Sequence, residues 1–241
     1  MEVFLVAAPV FALIYFVAYF RWFKFLKGTD RADASSCCMS LLHGAVTAYF
    51  ACRECLIRPW LLAAPNTPLQ NKILEFSLAY FVVDSVHLLT LSPDTLFILH
   101  HIGGIVYMLT SRAYVKRGAL SALSLMGAGE LTSPLQNTWT LSRLCKKHSP
   151  FAEKVYQAIS LPFTLVYTIV RLGLGPYLVY EVAQFYVRGG ADGVVPRWLA
   201  YTWSVIITLA ELGSLVWVYM LWAGLIRFYK RRKQAETKKV G

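Results

Sequence analysis

Long apolar stretches separated by short polar segments run along the whole chain. An α-helix needs about 20 residues to cross the hydrocarbon core of a bilayer, and stretches near that length recur. In chain order they are residues 3–20, 37–57, 73–91, 95–110, 118–137, 159–181 and 198–226. The pattern therefore predicts an all-α fold, a multi-pass transmembrane helical bundle of about seven spans.

The fifth stretch differs from the others. Residues 118–137 are rich in small side chains and are interrupted by Glu130 and Pro134. Such a segment is either a marginal span or a re-entrant one that returns to the side it came from. Re-entry would leave six spans instead of seven, and the sequence keeps both alternatives open.

The composition agrees with a membrane setting. Hydrophobic residues make up 57% and charged residues 15% of the 241 positions, whereas soluble domains carry roughly 25% charged residues. The mean hydropathy is +0.50. We expect an anchor span with a basic loop at 1–35, one membrane domain at 36–227 and a basic tail at 228–241. No segment is left for a large soluble module.

Basic residues flank the predicted spans and give the chain a net charge of +11. With seven spans, fifteen of them lie on the side of the C-terminus and eight on the other side. The side richer in lysine and arginine is normally cytosolic, so we expect a lumenal N-terminus and a cytosolic C-terminus. This placement suits anionic membrane lipids, and nucleic acid is not an expected partner.

The last four residues read "KKVG", with Lys238 and Lys239 at the fourth and third positions from the end. Lysines at these positions resemble the dilysine signal that cytosolic coat proteins read when they retrieve proteins to the endoplasmic reticulum. We therefore expect residence in the endoplasmic reticulum membrane, with coat proteins as partners. The alternative is an ordinary solvated basic tail after the last span.

Ionisable side chains inside the apolar spans are the candidate functional residues. Asp84 and His87 are three residues apart, so they share a helix face. His100 lies roughly 8 Å past the start of its span, and it is followed by His101. With Glu130 placed about 12 Å from the end of the fifth segment, all five fall within one slab of the cytosolic half. Intramembrane ionisable groups are costly unless they pair or line a polar cavity.

Other interpretations stay open for part of this cluster. A carboxylate and a histidine also pin helices together, a contact worth about 1 kcal/mol or less. His100 and His101 project about 100° apart on a helix, so they do not point at one spot. The spacing H-x-x-x-H or E-x-x-H of metal ligands is absent, so no metal is expected. At matched depth in the last two spans, Arg171 and Glu211 predict an intramembrane ion pair, whereas His43 is given a structural role.

Several of these residues fall in a pattern that resembles a known family. Asp84 and His87 in one span precede the double histidine, His100 and His101, in the next. The dipeptide "RG" at 117–118 and the segment "ELTSPLQN" at 130–137 follow. Together they resemble the TLC domain family, whose members include the ceramide synthases and several other lipid-related membrane proteins.

In ceramide synthases the double histidine is linked to transfer of an acyl chain from acyl-CoA to a sphingoid base. The resemblance therefore implies a catalytic role for His100 and His101, with acyl-CoA as the co-substrate. Asp84 is the candidate that would fix the histidine tautomer and stabilise the imidazolium. No resident cofactor is implied.

The second motif of the ceramide synthases, H-D-x-x-S-D, is not present. The segment "MGAGELTSPLQN" that stands there is similar to the branch with membrane-lipid regulators and endoplasmic reticulum export factors. On this basis the lipid-binding candidates are His87, Glu130, Ser133 and Asn137. We expect a lipid-handling protein in membrane lipid homeostasis, with an N-acyltransferase and an export factor as alternatives. Membrane lipids are the expected partners, and homo-oligomer formation is left undecided.

Overall fold

The computed structural model describes the backbone of residues 1–240, and the side chains of residues 1–230 and of Gln234. Its helices are α1 (Glu2–Val17), α2 (Gly28–Ile57), α3 (Pro68–Thr90), α4 (Thr95–Leu109), α5 (Ala119–Glu130), α6 (Ser133–Cys145), α7 (Pro150–Ile169), α8 (Gly175–Val187) and α9 (Arg197–Val240). Three π-helical turns, Ala18–Trp22, Thr110–Val115 and Val170–Leu174, extend α1 and α4 and join α7 to α8. Among the described residues no strand forms beyond one isolated bridge, so the all-α prediction is confirmed.

Within the described residues, four helical segments are long and apolar enough to cross a membrane. They are Glu2–Trp22, Pro68–Thr90, Pro150–Val187 and Arg197–Lys230. Of the remaining segments, α2 is long but more polar, whereas α4, α5 and α6 are short, with 15, 12 and 13 residues. Each of them packs against several other helices, and part of their polar side chains is buried. The arrangement is that of a membrane bundle with a polar interior.

Local sequence determines where the spans begin. Thr67 caps α3 by accepting a hydrogen bond from the backbone N–H of Gln70 at 3.2 Å, and the Gln70 side chain accepts from the Thr67 N–H at 3.0 Å. Asp94 caps α4 by accepting from the Phe97 N–H at 3.0 Å. These caps satisfy N–H groups that have no partner within the helix. Helices α3 and α4 pack on each other on either side of this short turn and form a helical hairpin.

The fifth segment crosses the bundle as a broken helix. Gly127 lies beside Cys52 and Ser133 lies beside Gly44. These contacts show that α5 and α6 run antiparallel to α2 along most of its length. The break falls at residues 131–132, just before a proline near the start of α6. The α5 and α6 pair thus runs alongside α2 without turning back. The number of membrane crossings stays a prediction. The segment also ends at Cys145 rather than at residue 137.

The contacts between helices define the two ends of the bundle. Glu75 near the start of α3 lies 2.7 Å from Nη2 of Arg112 just after α4. The indole N–H of Trp203 donates to Thr110 at 2.8 Å, which places the start of α9 there too. We call this end the Arg112 end. The opposite one, at the turn between α3 and α4, is the Asp94 end.

Six helices form a closed ring that reaches the Asp94 end. The order around it is α2, α3, α4, α9, α7 and α6, each packed on the next. Helix α1 lies outside the ring against α2 and α3, while α5 contacts α2, α3, α4 and α8 toward the Arg112 end. Small buried residues of α5, such as Ala119 and Ala122, permit this close approach. The Asp94 half of the ring holds the polar cluster.

Candidate functional site

Two polar stripes face each other where α2 packs on α3. Polar residues recur every three or four positions on both helices, so each stripe occupies one face. The two helices are antiparallel, so residue numbers increase along one stripe in the direction in which they decrease along the other. The resulting cross-helix pairs are Asp33 with His87, Ser36 with Asp84, and Ser40 with Tyr80.

Asp84 is the centre of this cluster. Its side chain is buried, with 4% of the residue exposed. It accepts a short hydrogen bond from the Ser36 hydroxyl, and the Tyr80 hydroxyl lies 3.5 Å from its other oxygen. The same oxygen, Oδ2, lies 3.1 Å from Nε2 of His101. Side chains of α2, α3 and α4 therefore meet at one carboxyl group.

His101 lies between two acceptors. Its Nδ1 is 2.9 Å from the carbonyl oxygen of Phe97, and a carbonyl oxygen only accepts, so Nδ1 carries the proton. Its Nε2 faces Asp84 at ion-pair distance but without the alignment of a hydrogen bond. One further proton, on either Nε2 or the carboxyl group, removes the clash of two lone pairs. The pair then carries no net charge, which suits a buried position.

His87 shares a face with Asp84 as predicted, but it has other partners. Its Nδ1 lies 3.2 Å from the Tyr15 hydroxyl, and its Nε2 lies 3.6 Å from Asp33. Tyr15 belongs to α1, outside the ring. His87 therefore links the anchor helix to the polar cluster.

His100 points away from Asp84, as the predicted 100° separation from His101 requires. Its ring lies 5.8 Å from the ring of Phe81 and 6.0 Å from that of Trp217, measured between centroids. Its Nδ1 is buried and has no hydrogen-bond partner. The two adjacent histidines therefore occupy different environments and are not interchangeable.

Glu130 joins the cluster through His43. His43 is fully buried and lies flat against the Tyr80 ring, with centroids 4.1 Å apart. Its Nδ1 is 3.8 Å from the Glu130 carboxylate. Because α6 continues to Cys145, Glu130 lies about 22 Å from the end of that segment. The expected depth of about 12 Å is therefore wrong, and Glu130 lies near the middle of the bundle.

Ser133 and Asn137 lie near Glu130 on the first turns of α6. Ser133 packs so closely on α2 that a Cβ atom on Gly44 would approach its own Cβ to 2.6 Å. The side-chain amide of Asn137 donates to the Ser133 carbonyl at 2.9 Å within the same helix. Neither side chain has a described polar contact with Asp84 or His101. Their assignment to lipid binding stays a prediction.

The predicted ion pair between Arg171 and Glu211 does not form. The Arg171 guanidinium donates to the Ser214 hydroxyl at 3.2 Å and to the Gly129 carbonyl at 3.0 Å. Glu211 lies against the backbone of Gly175 instead. The break after α5 exposes the carbonyl groups of its last turn, and the π-helical turn around Arg171 lets its side chain reach them.

The described residues contain no group of three histidines, cysteines or carboxylates that could hold a metal ion. The polar atoms near Asp84 are engaged with one another instead. Lys238 and Lys239 lie outside the residues whose side chains the structure describes.

Five members of the cluster are missing from the sequence-based candidates. They are Asp33, Ser36, Ser40, His43 and Tyr80. Tyr80 lies four positions before Asp84, on the same face of α3. For the four residues on α2 the signal is the spacing of polar residues over 33–43, which matches one helix face. It was missed because the span was predicted to start at residue 37, whereas α2 begins at Gly28.

The fold and the buried cluster define a class, a multi-pass helical membrane protein with an acid and histidine network in its interior. The family model of the TLC domain matches residues 33–223. A TLC domain-containing protein of Arabidopsis thaliana is 39% identical over 235 residues, which cover 96% of this chain and 92% of the relative. No solved structure matches the chain. This chain belongs to the TLC domain family, as its sequence motifs predict.

Proposed function

We propose that this protein binds a long-chain lipid at the Asp84 cluster and thereby contributes to membrane lipid homeostasis. The observation that carries the proposal is the buried contact between Asp84 and His101, at 3.1 Å, in the ring of six helices. Ionisable groups at such depth are retained at a cost in stability, which a polar ligand repays. The ring would enclose the polar group of the lipid, and the alkyl chain would run between the helices.

The hydrogen bonding of His101 favours binding over catalysis. A general base needs a free nitrogen within reach of the proton that it abstracts. Both nitrogens of His101 face acceptors of the protein, Phe97 and Asp84, so neither is free to take a proton from an attacking amine. The pair is suited to hold the polar group of a lipid through a hydrogen bond rather than to abstract its proton.

A second candidate function, acyl-CoA-dependent acyl transfer, is favoured by one observation. Nδ1 of His100 is buried and has no hydrogen-bond partner among the residues whose side chains are described. In this alternative His100 takes the proton from the amine of a sphingoid base, and acyl-CoA enters from the Asp94 end. Phe81 and Trp217 surround the ring, however, so no carboxylate orients it.

We also propose that the Asp94 end faces the cytosol and that the protein resides in the endoplasmic reticulum. The basic segments at 21–31 and 143–154, and the end of α9, lie together at this end of the bundle. An excess of lysine and arginine at one end supports a cytosolic orientation of that end. The dilysine sequence at 238–239 supports retrieval to the endoplasmic reticulum.

The lipid-binding proposal is tested by photo-crosslinking in cells. Wild type, Asp84→Asn and the control His148→Gln would be expressed in a line lacking the protein and fed a photoactivatable, clickable sphingoid base. His148 is an exposed histidine on the Asp94 side, so its replacement should change nothing. We expect Asp84→Asn to lose labelling while its melting temperature in detergent stays close to wild type. Equal labelling of all three would overturn the proposal.

Acyl transfer is tested separately with the same membranes. Incubation with acyl-CoA and a sphingoid base should give no N-acylated product above that of the null line if the protein only binds lipid. Product that depends on His100 would instead establish the second candidate function.

A further inference from the structure

A second polar site lies near the middle of the bundle, on the other side of the break between α5 and α6. Arg171 belongs to the π-helical turn within the 38-residue stretch Pro150–Val187. Its Nη1 donates to Ser214 of α9 and its Nη2 to the carbonyl of Gly129 at the end of α5. The guanidinium also lies 5.1 Å from the centre of the Tyr167 ring, so three neutral groups hold it in place.

No described carboxylate lies at ion-pair distance from this guanidinium. Arg171 forms no ion pair within the part of the chain whose side chains are described, and its Nε is buried without a hydrogen-bond partner. Glu211 is turned toward Gly175, where a Cβ atom would lie 2.8 Å from its Oε2, and its Oε1 is also buried without a partner. A positive charge inside a membrane bundle is costly without a counter-ion.

The site is close to the lipid-facing surface of the bundle. Leu172, which follows Arg171, is 53% exposed, and Leu212, which follows Glu211, is also 53% exposed. Both leucines lie in segments apolar and long enough to span a membrane. A ligand would therefore enter from the bilayer, so it must be a membrane-resident molecule with an anionic group.

We propose that Arg171 binds the carboxylate of an unesterified long-chain fatty acid. A guanidinium has five N–H groups, of which two are used by Ser214 and Gly129. The Nε–H and a neighbouring terminal N–H form the planar fork that matches the two oxygens of one carboxylate. The alkyl chain would lie along the exposed leucines. Because the site does not include Asp84 or His101, this inference goes beyond the proposed function.

The purely structural alternative is that Arg171 only fastens α9 to the end of α5. The two alternatives differ in what they require of the ligand. A structural clamp has no preference for a carboxylate, whereas a fatty acid site must prefer an acid over the alcohol of equal chain length.

The experiment uses the purified full-length protein in lipid nanodiscs with a photoactivatable, clickable palmitic acid and the matching palmityl alcohol. We expect wild type to be labelled more strongly by the acid. Arg171→Gln should lower labelling by the acid about tenfold, the loss of one charge-assisted pair, and leave labelling by the alcohol unchanged. Arg171→Lys keeps the charge but not the fork, so it should recover only part of the labelling.

Two further variants separate this site from its neighbours. Glu211→Gln should keep labelling by the acid close to wild type, whereas a strong increase would show that Glu211 neutralises Arg171 and would overturn Arg171 as an unpaired ligand site. Asp84→Asn should leave labelling by the acid unchanged. A failure of the Asp84 cluster as a lipid site would therefore be distinguished from a failure of the Arg171 site.

The proposal is overturned if the acid probe and the alcohol probe label wild type equally. It is also overturned if Arg171→Gln lowers labelling by both probes to the same extent. If Arg171→Gln does not fold, the proposal is tested by competition between the acid probe and unlabelled compounds for the wild-type protein. Unlabelled palmitate must then displace the acid probe, and palmityl alcohol must not. Displacement by phosphatidic acid at lower concentration than palmitate would also overturn the choice of a carboxylate.

Discussion

His43 lies flat on the ring of Tyr80, with centroids 4.1 Å and planes 9° apart. The Tyr80 hydroxyl lies 3.5 Å from the Asp84 carboxyl group, while His43 faces Glu130 at the break between α5 and α6. The stacked pair is thus the connection between the Asp84 cluster and the broken helix. Both nitrogens of His43 lack hydrogen bonds, so stacking, rather than hydrogen bonding, fixes its ring.

Replacement of His43 separates stacking from polarity. His43→Phe keeps an aromatic ring against Tyr80 and removes two buried nitrogens that make no hydrogen bond, although one of them lies 3.8 Å from Glu130. We expect its stability in detergent to equal or exceed wild type. His43→Ala leaves a cavity and should cost about 2–4 kcal/mol. Thermal unfolding of both variants checks this, and a strongly destabilised His43→Phe would show that the nitrogens matter structurally.

Gly44 is required for the close packing of α2 on α6. A Cβ atom at this position would lie 2.6 Å from the Cβ of Ser133, which cannot rotate away. We expect Gly44→Ala to destabilise the protein by about 1–3 kcal/mol. Gly224→Ala is the matched control, because nothing lies within 4 Å of a Cβ there. It should be neutral or slightly stabilising by thermal unfolding. Equal melting temperatures for the two variants would contradict the packing argument.

The sequence predicts the bundle well because hydropathy and helix length are local properties. The α3–α4 hairpin follows from the polar turn at Asp94, and the double histidine follows from its apolar surroundings. The two histidines are separated by helix geometry alone, so their different directions were also predictable.

The partners of these residues depend on tertiary contacts that one sequence does not contain. Matched depth suggested that Arg171 would pair with Glu211, but depth leaves the rotation of each helix undetermined. The break after α5 offers a free carbonyl at Gly129, and Arg171 turns toward it. In the same way, His43 acquires its role only because α2 and α3 pack in one particular register.

The orientation in the membrane is tested at two loops of the folded bundle. A glycosylation acceptor inserted after Gly193, between α8 and α9, should be modified, because that loop lies at the Arg112 end. An acceptor inserted after Lys147, between α6 and α7, should not be modified. Gel mobility before and after deglycosylation is the measurement. The reverse pattern would place the Asp94 end in the lumen.

The basic tail makes a separate prediction about location. Lys238→Ser with Lys239→Ser removes both lysines of the dilysine sequence and should shift the protein to later secretory compartments. Lys230→Ser with Arg227→Ser changes the charge equally without touching that sequence, so it should leave the location unchanged. Fluorescence microscopy with compartment markers distinguishes them. Identical distributions would leave the tail as an ordinary basic flank.

The adjacent histidines provide the test of ligand site against packing network. In His101→Leu, Asp84 still accepts from Ser36, and the Tyr80 hydroxyl remains 3.5 Å away. The carboxyl group therefore keeps polar neighbours, and we expect a loss of about 1 kcal/mol, or roughly 3 °C in melting temperature. If the cluster binds lipid, this variant should nevertheless fail to restore the lipid profile of a null line.

His100→Leu is the matched control, because His100 has no hydrogen bond to lose. It should keep its stability, and it should restore the lipid profile if the protein binds lipid without acyl transfer. Abundance, melting temperature and lipid profile are measured on one set of cell lines. Should rescue by His101→Leu fall only as far as its abundance falls, the cluster is a packing network. Should His100→Leu lose rescue at normal abundance, His100 has the role that acyl transfer requires.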